Sequence, residues 1–253
     1  MIPNKTTQWI KVYLEGKYGT ISDGLPVYGD HWGGAFHTSE YALVPIKNRD
    51  LYLGWDFGLT PACIVGQMMP SGQLRILEEF CATSMGLRNF AENVVRPVIS
   101  TKYSGLKILS EGDPSGAARD YEEHDAFQIL NDVFKAEKGG FFTNPSSTNN
   151  LQPRLESVRF FLSRTIGAGQ PAFLVDPRCK MIIRGFEGHY RFRMMQIVGE
   201  TKYYATPDKN AYSHPHDGLQ ALCLMVSPGV DQREPLPPMG LAHARPLDVR
   251  TNF

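Results

Sequence analysis

The chain has 253 residues, of which 42% are hydrophobic and 21% charged, with 26 basic residues against 26 acidic ones. Those proportions belong to a globular protein with a sizeable core and exclude disorder of the whole chain. The balanced charge excludes a globally basic nucleic-acid binder, so any such binding falls to a local patch.

In chain order, residues 1–47 are rich in Gly, Tyr, Trp and His with little periodicity, which predicts an extended connector lying on a surface. The start, "MIPNKTTQWIKVYL", has no signal-peptide core. No run approaches the ~18 apolar residues of a membrane helix. A soluble, intracellular protein without membrane contact is expected. The four cysteines, Cys63, Cys81, Cys179 and Cys223, form no CxxC pair, so they are expected to be reduced thiols and not a zinc ribbon or a disulfide framework.

From residue 51 the pattern changes. "LYLGWDFG" (51–58), "PACIVGQMM" (61–69) and "QLRILEEFCA" (73–82) predict three strands of an antiparallel meander, the second and third separated by "PSG". "LRNFAENVVRPVIS" carries Leu87, Phe90, Val94, Val95 and Val98 at helical spacing, and Pro97 is expected to end or kink that helix. "LKILSEGDPSG" predicts a strand running into an acidic turn, and residues 124–137 and 151–165 predict amphipathic helices. "AFLVD" predicts a short strand, "RFRMMQIV", "GE" and "TKYYATP" a hairpin with Gly199 and Glu200 at its turn, and residues 216–226 a last helix. The Pro-rich stretch after it predicts a flexible tail. The order β-β-β-α-β-α is the core order of a ribonuclease-H-like α/β fold, a mixed β-sheet flanked by helices, here with an added hairpin.

Three aspartates stand at comparable places in this scheme. Asp56 lies in the first strand, on the face opposite Trp55 and Phe57; Asp113 follows the strand "LKILS"; Asp217 opens the last helix. In an open α/β sheet, strand ends and a helix laid over them converge on one crevice. Clustered carboxylates select Mg²⁺ or Mn²⁺, and a pair of such ions serves phosphodiester hydrolysis. Taken singly, Asp113 also reads as a turn residue and Asp217 as a complement to the helix dipole. Asp56, unpaired in an apolar strand, calls for a partner or an ion. Glu111 is the first substitute for Asp113, with Glu78 and Glu79 nearby; His214 and His216 read as polar residues of a helix entry, with His216 as the sharper candidate for an accessory group. Arg184, Arg191, Arg193 and Lys202, interleaved with aromatics such as Phe186, Tyr190, Phe192, Tyr203 and Tyr204, are candidate DNA contacts, with a solvated charged face as the plain alternative.

The segments "GLPVYGDHW", "YLGWDFGLTPACIVGQ", "LSEGDPSG", "CKMIIRGFEGHYRF" and "PDKNAYSHPHDGLQAL" resemble the nuclease domain of bacteriophage terminase large subunits, the DNA-packaging motors, over residues 24–226. The resemblance implies a ribonuclease-H-like endodeoxyribonuclease that cuts concatemeric viral DNA with two Mg²⁺ or Mn²⁺. Asp56, Asp113 and Asp217 would hold the ions, Asp56 bridging both, with Lys209 as a further accessory candidate. It also implies double-stranded DNA, the portal or procapsid and the small terminase subunit as partners, and the cytoplasm of an infected bacterium as the location. Residues 1–47 would be a linker and the remnant of an ATPase domain, residues 48–228 the nuclease domain and residues 229–253 the tail. Gly218 stands where Ala is more usual in that family, which is expected to weaken the helix start only slightly. Two rivals remain: a sugar-kinase or actin-superfamily phosphotransferase, since "DFGLT" resembles its DxGxT loop, and a non-catalytic DNA-binding or capsid-docking module.

Overall fold

The computed structural model describes residues 24–58, 60–117, 125–135, 140–197 and 200–227. The expected tail and the first half of the expected connector lie outside them.

The three apolar runs form β2 (Leu51–Asp56), β3 (Ala62–Met68) and β4 (Leu74–Cys81), following β1 (Gly24–Pro26). β2 and β3 are antiparallel, as are β3 and β4, whose connection turns at Gly72 with a φ of 84° that glycine adopts without strain. β5 (Ile108–Gly112) lies parallel to β2, β6 (Thr143–Pro145) parallel to β5, and β9 (Phe173–Val175) parallel to β4. The result is a six-stranded mixed sheet in the order β6-β5-β2-β3-β4-β9. Between β6 and β9, β7 (Thr165–Ile166) and β8 (Gln170–Pro171) make a separate small hairpin.

Alternation along the strands sends apolar side chains to two cores. Leu51, Leu53, Trp55, Cys63 and Val65 face one side with Phe90, Val95, Leu130 and Phe134. Ile64, Leu74 and Ile76 face the other side with Leu155, Val158, Leu219 and Leu222. The first side is covered by α2, continuous from Leu87 to Lys102, and by α3 (Ala126–Lys135), after the short α1 (Gly34–His37). The second side is covered by α4 (Leu151–Leu162), α5 (Lys180–His189) and α6 (Ser213–Val226).

Pro97 neither ends nor breaks α2. The turn just before it, Ala91–Val95, widens into a π-helix, and the α-helix resumes with Pro97 in its first turn. The wider turn accommodates the ring and the missing N–H that a regular helix would oppose.

Residues 24–47 are more than a surface connector. β1 pairs with β10 (Arg191–Ile197), which pairs with β11 (Glu200–Tyr203) in a second, three-stranded sheet. Val27, Tyr28 and His37 are buried, with the Trp32 ring stacked 4.4 Å from that of Phe186. The aromatic residues that suggested an irregular surface stretch are used as packing. In the hairpin Ile197 pairs with Glu200, so Glu200 belongs to the strand and not to the turn; Gly199 lies outside the described residues.

The last helix begins at Ser213, three residues before the expected start. Pro215 fits in its first turn, because the first four N–H groups of a helix have no intrahelical acceptor and a proline there removes nothing. Asn210 organises the approach: its Oδ1 accepts from Tyr212 N at 2.9 Å, and its carbonyl accepts from Ser213 Oγ at 2.8 Å.

Candidate functional site

Two close approaches bring the three aspartates to one end of the sheet. Where α6 crosses β2, a Cβ on Gly54 would lie 2.1 Å from the carbonyl oxygen of Gly218 and 2.7 Å from the nitrogen of Leu222. Only glycine lets the helix rest on the strand at this distance. Gly218 meets the same constraint, since a Cβ there would stand 2.9 Å from the Gly54 carbonyl oxygen. Its role is therefore close backbone packing, and alanine in its place would be crowded. At the other approach, the Phe57 ring fills the space that Cβ atoms on Gly112 and Gly116 would occupy, both at 2.1 Å, and meets Phe127 edge-on. Asp113 sits between those glycines, and its N–H donates to the Trp55 carbonyl at 3.2 Å. The turn that carries Asp113 is thereby clamped to the end of β2 that carries Asp56.

Asp56 is 8% exposed, with Oδ2 2.8 Å from Nδ1 of His214. Asp113 accepts from Ser115 N at 2.8 Å, a turn contact, and its Oδ2 lies 3.5 Å from Nη1 of Arg154. Asp217 is 4% exposed; its Oδ1 accepts from Arg154 Nη2 at 2.8 Å and its Oδ2 accepts from Lys209 Nζ. Burial raises the Asp217 carboxyl above the usual carboxylate range, with Arg154 and Lys209 pulling it back down and Asp56 adding to the rise. Every one of the three carboxylates thus faces a basic side chain.

Of the two histidines, His214 and not the accessory candidate His216 reaches the aspartates. His214 and Asp217, three residues apart, share the face of α6 that meets Asp56. His216 is turned into the core, its ring 4.8 Å from that of Tyr190 and edge-on to Phe186, with Nε2 3.2 Å from the Ile182 carbonyl. Complete burial pushes its pKa down to about 3, so it is a neutral packing residue and no accessory to the aspartates.

Glu111 pairs in register with Gly54 and so lies on the α6 side of the sheet, with its carboxyl raised by burial. Glu78 and Glu79 are engaged elsewhere. Glu78 meets Lys102 and Tyr103, whereas Glu79 accepts from the backbone N–H groups of Met181 and Ile182 at 2.7 and 2.8 Å. Of the basic candidates, Lys209 reaches Asp217. Arg184 is exposed on α5; Arg191 is half-buried on β10 opposite Pro26; exposed Arg193 pairs with Asp208 at 3.1 Å over the Tyr204 ring; Lys202 is exposed on β11.

Arg154 is the residue that sequence reasoning missed. Its signal was present: in α4 it lies between Leu151 and Val158, at the three- and four-residue spacings that mark their apolar stripe, where a charge is out of place without a buried partner.

Among the described residues no three His, Cys, Asp or Glu side chains stand together as a ready metal cage. The donor chemistry nonetheless fits a hard divalent cation: carboxylate oxygens from a strand, a turn and a helix meet in a place that gathers positive charge.

No protein-family model matches the sequence, and no curated protein matches it. Solved structures do. The large terminase of a thermophilic bacteriophage, in complex with ADP, is 13% identical, with 88% of this chain and 52% of that one covered and a TM-score of 0.55. The same protein with ATP-γ-S gives 14% identity, 86% and 52% coverage and a TM-score of 0.53. The fold is ribonuclease-H-like. The nuclease domain of the bacteriophage SPP1 large terminase, with bound Mn, is 14% identical, with 74% of this chain and 94% of that one covered and a TM-score of 0.45. The chain spans about half the length of the thermophilic phage terminase. Among the described residues of this ribonuclease-H-like chain, no helix is long and apolar enough to cross a membrane.

Proposed function

We propose that the chain is a metal-dependent DNA endonuclease of the terminase large-subunit type, cutting viral DNA during genome packaging. The observation that carries this reading is the convergence of Asp56, Asp113 and Asp217 on one end of a ribonuclease-H-like sheet, each already holding a basic side chain. On this reading the three carboxylates would hold two Mg²⁺ or Mn²⁺ ions, with Asp56 shared between them. When bound, such ions activate water and stabilise the leaving oxygen in phosphodiester hydrolysis.

The protein's own part is to hold the ligands. The Gly54–Gly218 contact fixes the helix that presents Asp217, the Phe57 ring fixes the turn that presents Asp113, and His214 orients Asp56 through its 2.8 Å contact. Arg184, Arg191, Arg193 and Lys202 would track the phosphate backbone of double-stranded DNA. The portal or procapsid and the small terminase subunit would be the assembly partners, in the cytoplasm of an infected bacterium.

Incubated with supercoiled plasmid, the purified chain is expected to produce nicked and linear DNA in Mn²⁺ or Mg²⁺ and nothing in excess EDTA. Cleavage that persists undiminished in EDTA would rule out this mechanism.

A further inference from the structure

Resting on that reading, we infer that Arg154 and Lys209 are resident counter-ions: they hold Asp113 and Asp217 in place before metal arrives and compete with it for the same oxygens. Both oxygens of Asp217 are occupied, Oδ1 by Arg154 Nη2 at 2.8 Å and Oδ2 by Lys209. The same guanidinium reaches Asp113 Oδ2 at 3.5 Å, so one planar cation spans two proposed ligands contributed by different elements.

The position is built for this. Arg154 is nearly buried, and its third partner, Asn149 Oδ1 at 3.1 Å, is neutral, so the charge of the guanidinium is directed at the two aspartates. Two carboxylates this far out of water repel one another and lack solvent to offset the repulsion. A cation between them offsets that repulsion in the metal-free protein. A divalent ion that takes the same oxygens must displace that cation or share with it, because a guanidinium offers only donors and cannot itself join a metal's coordination shell.

The consequence is a pair of effects with opposite signs. Removing the charge of Arg154 lowers the stability of the metal-free chain and raises its affinity for metal. A purely structural arginine would change both in the unfavourable direction, because a collapsed site binds metal worse.

The test is Mn²⁺ binding to the full chain, followed by the loss of the free-ion electron paramagnetic resonance signal, with melting temperatures measured with and without Mn²⁺. Arg154→Gln is expected to melt lower without metal and to bind Mn²⁺ about tenfold more tightly, the equivalent of one charge-assisted hydrogen bond no longer competing. Arg154→Lys keeps the charge but not the fork that reaches both carboxylates, so its Mn²⁺ affinity is expected to fall between those of the wild type and Arg154→Gln. Lys209→Gln alters a side chain that is 73% exposed, so it leaves the fold intact, and it is expected to tighten binding as well. Unchanged or weaker Mn²⁺ binding in Lys209→Gln and in folded Arg154→Gln overturns the inference. A wild-type chain that binds no Mn²⁺ at all overturns the metal-site reading beneath it, which is a separate outcome.

Discussion

If Asp56 holds metal as proposed, Asp56→Asn is expected to lower Mn²⁺-dependent plasmid cleavage by at least about 100-fold, because a neutral amide would not supply the charge with which a carboxylate ligand would bind a divalent ion. The melting temperature, by contrast, is expected to stay the same or rise. Asp56 is an acid placed almost out of water at the end of an apolar strand, with its carboxylate 2.8 Å from His214. Asparagine has the same shape, keeps a partner for the imidazole and removes the cost of burying a charge. A residue whose loss stops the chemistry and spares the fold is retained for function. Asp113→Asn and Asp217→Asn are expected to reduce cleavage comparably. Any of the three variants retaining more than about a tenth of wild-type activity would remove that residue from the site.

The second large effect concerns the fold that makes the site. Gly54→Ala is expected to cost about 3 kcal/mol or more, since the added methyl overlaps helix backbone and not a side chain that can swing aside. For a chain of this size that lowers the melting temperature by roughly 6–12 °C. Cleavage is expected to fall with it even below the transition, because α6 can relieve the overlap only by lifting Asp217 and His214 away from Asp56. Gly167→Ala, with no atom within 4 Å of the new methyl, is the control and is expected to be near neutral. Equal melting temperatures for the two variants would show that the close contact is not what seats the helix.

The three aspartates were legible in the sequence because each sits where a polar residue conflicts with its local pattern or repeats a strand-end position. The sheet was legible for a similar reason: β2, β3 and β4 are apolar runs bounded by turn residues, and the structure moves their ends by one or two residues. What failed was helix phase. With α6 taken to start at residue 216, His216 looked adjacent to Asp217 and His214 looked external. Starting at Ser213, the spacing of three puts His214 beside Asp217, and His216 turns into the core.

The counter-ions were harder to see. Arg154 is 41 residues from Asp113 and 63 from Asp217, and only the packing of α4 against α6 brings them together. The connector was misjudged for a different reason. Tyr28, Trp32 and His37 have no period to betray burial, because Tyr28 and Trp32 pack as rings against Phe186, with His37 stacked behind Trp32, and not as one face of a helix or strand.

The most direct test of the site is diffraction from crystals soaked in Mn²⁺ and measured at the manganese absorption edge. Anomalous density is predicted among Asp56, Asp113 and Asp217, with the Arg154 guanidinium drawn off the Asp217 carboxylate. Density lodged elsewhere, with Arg154 still bridging Asp113 and Asp217, would contradict the account.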